Sequence, residues 1–553
     1  MISRLLFVLI FIFRNAHFVT CENSNAEQDT CAAELNPNDQ HIPGCRLYIA
    51  KSTLNNEAST RLGLFTGKKI KRGQAIAPPD IMIQLIDYLS SLSDFVSLYS
   101  FEPGQFGAQF EAKSVASILP GVPSVAQMTI STSPVKANAV PFGIDIDEAD
   151  VPRTTSPGAG ASTHYHNFTF YARQDLGEGS EIFIALEEKE PWFEKKTKLV
   201  QSRDNSIQFK ADFKPQRKLD WLISNGICVS NMIPKKSKIE GAGRGAFAST
   251  MIRKGSVIAI SPVLPIKRES AMTKRMKVSG KVRASKPQQL INYCFALKGE
   301  NDADSSSDVL FFPTAPMVNL INHGGNDANV KVQLSQNTKK RYTNLSSSSF
   351  EEISTKNEDI IIEYVATKDI YIGDEITLDY GQHWTNAWKK HVTEWKPPLN
   401  SHLYSPSYVM DDVAGLLRNE KEQKDHPYPA NVLTGCYYRY STHVTQDGIA
   451  GKPKKTGEAS IIKWKMDRRT FDYRNLRPCN IMHREKDENG QIMYTAMMRN
   501  SNSMKEEEMI PKGEMHIVNY IPRNAIKFLD KMYSTDMHLP NAFRHEILLS
   551  EDQ

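Results

Sequence analysis

No apolar run in this sequence is long enough to cross a membrane, cysteine is scarce, and neither sign of charge predominates. The longest apolar run, Leu5 to Phe13, has nine residues, against about 20 needed for a spanning helix. No membrane span is therefore expected in the mature chain. Seven cysteines occur in 553 residues and none forms a CxxC pair, which argues against a zinc site built of cysteines. A net charge of +5 spread over this length leaves no basic footprint, so no nucleic-acid partner is expected. Composition is 40% hydrophobic and 24% charged. That excludes wholesale disorder, and the length predicts two to four domains.

The N-terminus carries the first positive signal. Arg4 followed by the run Leu5 to Phe13 suits a signal peptide over residues 1–21, with small residues near Val19 to Cys21 for cleavage. The alternatives are an uncleaved anchor or a buried strand. The signal peptide predicts the secretory pathway or secretion, and a plastid reached through that route fits equally. Loss of Cys21 leaves six cysteines, Cys31, Cys45, Cys228, Cys294, Cys436 and Cys479, an even number that permits disulfides in an oxidising compartment. Cys31 with Cys45 is the most local pair. Cys228 and Cys294 lie in apolar runs and suit buried thiols as readily.

The chain repeats itself. "LGLFTGKKIKRGQAI" from Leu62 and "RGAFASTMIRKGSVI" from Arg244 place Gly, Phe, Ile, a basic pair, Gly and Ile at the same offsets. "YARQDLGEGSEIFIAL" from Tyr171 and "VATKDIYIGDEITLDY" from Val365 share Ala, Asp, Gly, Glu and Ile. Two ordered matches predict a duplicated domain. Each match alternates apolar residues into a charged-Gly turn and resumes, the pattern of two short strands. Helical patterns occur at "KLDWLISNG", "PQQLINYCFAL" and "HWTNAWKKHV". Ser305 to Ser307 and "TNLSSSSFEEIS" are expected to be surface loops. The basic clusters at Lys68 to Arg72 and Lys452 to Lys455 are expected to be solvated surface. After a linker, "KPPLNSHLYSPS", a separate α+β piece is expected, with a hairpin at "KDENGQ" and a helix at "RNAIKFLDKMY".

One stretch asks for an explanation. In "NLINHGGNDANV" an apolar run stops at Asn322-His323 and two glycines follow. Together with "GAGRGAFASTMIRKGSVIAI" and "ATKDIYIGDEITLDYG", it resembles the three ordered motifs of the SET domain, the lysine methyltransferase fold. The resemblance runs from Lys218 to about His391. It implies a mostly β fold with α+β elements, built of short twisted sheets and duplicated: a degenerate copy at 45–200, a SET domain at 215–395 and a small α+β domain at 420–553. This layout resembles SET proteins of diatoms and related algae.

The resemblance implies S-adenosylmethionine as cofactor and a protein lysine, on a non-histone protein, as substrate. It places Gly243, Arg244 and Gly245 at the cofactor's amino-acid end, where glycines let backbone approach closely. It places the Asn322 side chain at the ammonium, the His323 backbone at the adenine, and Tyr380 at the reacting methyl. No metal is implied. The segment "GQHWTNAWKKHV" is expected to wall the lysine channel, since the zinc-binding cysteines that follow the end motif in the family are absent. The family's "NHSCxPN" loop is altered here, and Asn329 stands for its closing Asn. The first copy has no Asn-His, and Leu186 stands where Tyr380 stands in the second. Singly, each of these residues occurs in ordinary turns and cores. An inactive SET-like scaffold or binding protein of the secretory pathway is the alternative to an enzyme.

Overall fold

The computed structural model describes residues 44–549 apart from internal stretches, the longest being 54–61, 86–99, 102–115, 119–137, 184–214 and 440–460. The signal-peptide run, Cys21, Cys31, Leu186 and the Lys452 to Lys455 cluster lie outside the described residues.

The described chain is mostly β. Its largest sheet has ten strands. From one edge the order is Met232–Lys236, Arg244–Ala248, Glu375–Leu378, Val330–Leu334, Ile361–Ala366, Val257–Lys267, Ser306–Pro313, Phe295–Lys298 and Ile547–Leu549. The tenth, Asn322–His323, pairs with Glu375–Leu378 alone. Alternation sets the faces: Val330, Val332 and Leu334 are buried and Lys331 is exposed. Val257–Lys267 is covered on both faces and accordingly reads as a nearly continuous apolar run. The turn feeding it holds Gly255 at φ +81°, a conformation that costs an L side chain about 1–2 kcal/mol.

Residues 432–530 form a six-stranded sheet with its own core. The hairpin at Asp487 to Gln491 joins Leu476–Lys486 to Ile492–Arg499, with Asp487 accepting from the Asn489 and Gln491 amides. The chain then leaves this sheet, and Ile547–Leu549 runs parallel to Phe295–Lys298 in the large one.

Several local expectations are corrected. "RNAIKFLDKMY" is one 3₁₀ turn and the strand Ile526–Asp530: Ile526 and Phe528 face the core with period two, and Leu433 and Thr434 pair with Leu529 and Phe528. "PQQLINYCFAL" is a 3₁₀ turn, Gln289–Tyr293, followed by the strand Phe295–Lys298. Ser306 and Ser307 open a strand instead of a loop. "TNLSSSSFEEIS" buries Leu345, Phe350 and Ile353 against the core, so it is not a solvated loop. "KLDWLISNG" and "HWTNAWKKHV" are helices, Leu219–Asn225 and Gly381–Glu394. Among the described residues, no helix is long and apolar enough to cross a membrane.

Cys45 pairs with Cys228 across 183 residues, which corrects the local Cys31 pairing and the reading of Cys228 as a thiol. Adjacent strands bring them together, since Tyr48 lies opposite Cys228. Cys436 bonds Cys479, and Cys294 is free and buried.

Matching contacts occur in the two halves. Glu181 accepts from Ser52 Oγ and the Thr53 amide, and Glu375 accepts from Ser237 Oγ and the Lys238 amide. Asn138 brackets Glu181 and Phe183 as Asn329 brackets Glu375 and Thr377. A Cβ on Gly63 would meet Glu181, and one on Gly245 would meet Glu375, each at 2.3 Å.

The Cys45–Cys228 bond closes a long loop, so Cys228→Ser should lower the unfolding free energy by about 2–5 kcal/mol. Denaturant titration checks this, and under reductant the two proteins should unfold alike.

Candidate active site

The site is built on the edge strand Asn322–His323. The Gly324 amide donates to the Leu378 carbonyl at 2.9 Å, and His323 lies opposite Leu378 in a parallel ladder. In that geometry the bonds to Leu378 come from the residues flanking His323. The His323 amide and carbonyl therefore point away from the sheet, one donor beside one acceptor. Asn329 closes the loop that follows, donating to the Glu375 carbonyl and accepting from the Thr377 amide, both at 2.8 Å. Asn329 thus ties the altered loop to the strand Glu375–Leu378.

Asn322 is oriented by its neighbours. Its amide nitrogen donates to the Arg244 carbonyl at 2.8 Å and to Glu375 Oε1 at 3.2 Å. Its amide oxygen is left to accept. Glu375 is buried and also takes the Ser237 hydroxyl at 2.6 Å and the Lys238 amide at 2.7 Å. Three donors offset the cost of burying its charge.

Tyr380 begins the Gly381–Glu394 helix and donates its hydroxyl to the Ile321 carbonyl at 2.5 Å. Burial pushes its ionisation above the usual phenol range, so the group stays protonated and presents oxygen lone pairs. The Tyr380 amide donates to His323 Nδ1 at 3.0 Å, which requires that nitrogen to be unprotonated. Nε2 lies 3.2 Å from Thr385 Oγ1, whose own hydroxyl donates to the Gly381 carbonyl. Burial lowers the His323 pKa, opposed by Asp379.

These groups face one pocket of about 200 Å³. Arg244, Asn322, His323 and Tyr380 all line it. Gly243 and Gly245 flank Arg244 in the turn and strand that carry it. Gly243 takes φ +72° in the preceding turn, and Gly245 has no Cβ because Glu375 occupies that space.

The remaining wall comes from distant parts of the chain. Trp384 and Trp388, four residues apart on the helix, line the pocket as that segment was expected to line a channel. The Trp384 ring lies 4.7 Å from His323 and 5.0 Å from Tyr380. Phe543 packs on both tryptophans at 5.4 and 5.1 Å. Tyr293 and Tyr364 also face in, and Tyr293 accepts the Thr163 amide at 2.8 Å. Asn292 joins three segments, donating to the Ala161 and Phe543 carbonyls and accepting from the His545 amide. Sequence reasoning missed Asn292, Tyr293, Glu375 and Phe543 as site residues. Glu375 alone had a signal, its place in the third motif.

The family model for the SET domain matches residues 243–381, the segment that holds both site strands and Tyr380. No curated protein matches the chain. Among solved structures, it is similar to a Plasmodium falciparum protein named as a histone methyltransferase, at 21% identity, covering 28% of this chain and 96% of that one with a TM-score of 0.18. It is also similar to the Chaetomium thermophilum polycomb repressive complex 2, at 20% identity over 27% of this chain and 15% of that one, TM-score 0.18. A third similar structure is ctPRC2 in an autoinhibited conformation bound to S-adenosylmethionine, at 17% identity over 32% and 19% of the two chains, TM-score 0.19. Residues 243–381 are a SET domain, and the mostly β fold is of the SET type.

The folded state favours neutral His323. Its contribution to stability is complete above the unfolded pKa of about 6.5 and is lost as pH falls through the lowered folded value. Unfolding free energies from pH 7.5 to 5 should fall more steeply for the wild type than for His323→Gln. Parallel curves would remove His323 from that dependence.

Proposed function

We propose that the chain is an S-adenosylmethionine-dependent protein-lysine N-methyltransferase acting on a non-histone protein, with its site at 243–381. The observation that carries this reading is the convergence of Asn322, His323 and Tyr380 on one pocket. The donor set fits the cofactor. The Asn322 amide oxygen suits an ammonium, and the paired donor and acceptor of His323 suit the edge of an aminopurine. The Trp384 ring beside His323 offers a face for stacking. When bound, S-adenosylmethionine supplies a methyl group on a sulfonium, which becomes a neutral thioether as the amine takes the methyl.

The nucleophile must be a neutral amine. At pH 7 only about 0.04% of a lysine with pKa 10.4 is neutral, a deficit of about 4.6 kcal/mol. Tyr380 cannot take the proton as phenolate, because burial keeps it protonated, so the lysine ammonium gives its proton to solvent before the amine is enclosed. Its role is to orient: the bond to Ile321 fixes the hydroxyl, and its lone pairs accept from the amine and from the electron-poor methyl. The surrounding aromatic walls exclude water and suit an alkylammonium.

The matched contacts of Glu181 and Glu375 support the reading of residues 45–200 as a copy without a site. The two disulfides support an oxidising compartment and the secretory route. They also favour a second reading, an inactive scaffold of that pathway.

Tyr380→Phe separates the two. It loses one hydrogen bond, about 1 kcal/mol of stability, whereas methyl transfer should fall by roughly 10²-fold because orientation is lost. Thermal unfolding beside methyl transfer to a lysine-containing lysate measures both. A wild type without transferase activity, with a variant altered only in melting temperature, would favour the scaffold. Asn322→Ala should weaken cofactor binding by about 1.5–3 kcal/mol, and equal calorimetric affinities would exclude Asn322 from the site.

A further inference from the structure

The strand that carries Asn322-His323 is reached through an unusual residue. Met317 is fully buried and has φ +67°, the left-handed region that non-glycine residues avoid. It begins the turn Val318–Leu320, which delivers Ile321, the acceptor of the Tyr380 hydroxyl, and then Asn322. A strained start to a site strand persists only where its surroundings hold it. What holds it comes from the N-terminal half: Asp80 Oδ2 accepts the Met317 amide at 2.8 Å across 237 positions. Its other oxygen accepts the Ile81 amide at 2.8 Å, and Ile81 lines the pocket.

Asp80 is 4% exposed, and among the described residues no cation pairs with it. A carboxylate kept in such a place without a counter-ion costs more than any ordinary packing residue would. Two amides at opposite oxygens are what it holds.

We infer that Asp80 is a positioning residue for the site, bracing the backbone at Met317 so that Ile321 and Asn322 are presented in register with Tyr380. The N-terminal half is then part of the site's construction and not a separable copy. Burial raises the Asp80 pKa to about 6, opposed by the two amides.

The binding consequence rests on the methyltransferase reading, and the structural consequence does not. In the full-length wild type, the Met317 amide should exchange as slowly as amides of the flanking strands, although it lies in a connection. Fast exchange there would overturn the inference without any variant. Asp80→Asn keeps the shape but leaves only one acceptor oxygen, so exchange at Met317 to His323 should rise at least tenfold. Affinity for S-adenosylhomocysteine should fall about tenfold. Asp175→Asn is the control. It removes an exposed carboxylate that accepts the Arg72 amide in the same half, and should change neither readout. Unchanged exchange in Asp80→Asn, or equal changes in both variants, would refute the brace. If the wild type binds no S-adenosylhomocysteine, the functional reading fails while the exchange arm still decides the role of Asp80.

Discussion

The buried carboxylate of Glu375 is the constraint on which the site depends. It accepts from Ser237, from the Lys238 backbone and from Asn322. A charge withdrawn from water needs such partners, because each missing donor would leave a desolvated oxygen. Satisfying it draws together the turn before Arg244, the strand Glu375–Leu378 and the edge strand Asn322–His323. It also dictates Gly245, whose position has no room for a Cβ. The turn, the Asn orientation and the glycine are consequences of one group.

Around that anchor the pocket is assembled from remote segments. Residues near Gly158 to Thr163 face it from the N-terminal half, and Phe543 faces it after the chain has passed through the C-terminal sheet. Asn292 fastens both with three hydrogen bonds. His391 adds a contact from the helix to the Pro157 carbonyl. Trp384, Trp388 and Phe543 then close an aromatic wall. Such a wall is held in place because each ring is packed on at least two others.

The motif residues were legible because their chemistry is local. Gly-x-Gly, Asn-His and the terminal Tyr each announce a turn or a strand end, and four of the six residues named from them line the pocket. The two glycines also meet local demands of another kind: Gly243 answers to backbone conformation and Gly245 to a neighbouring side chain. The strand Ile526–Asp530 was read as a helix because a short apolar run does not distinguish the two periods. Its partner, Val432–Tyr437, decided the matter.

Sequence alone determined the order of strands and turns around Arg244, Asn322 and Tyr380, because alternation, charged-Gly turns and an abrupt polar break act over a few residues. It also determined that a helix would follow Tyr380, from the helical pattern of "HWTNAWKKHV". Tertiary structure decided what no short window contains. Cys45 meets Cys228 rather than the nearer Cys31, Asp80 reaches Met317, and Phe543 returns to the tryptophans. The physical reason is the same in each case: these contacts are made by sheet edges and buried polar groups satisfying one another across hundreds of residues, and sequence separation carries no record of that proximity.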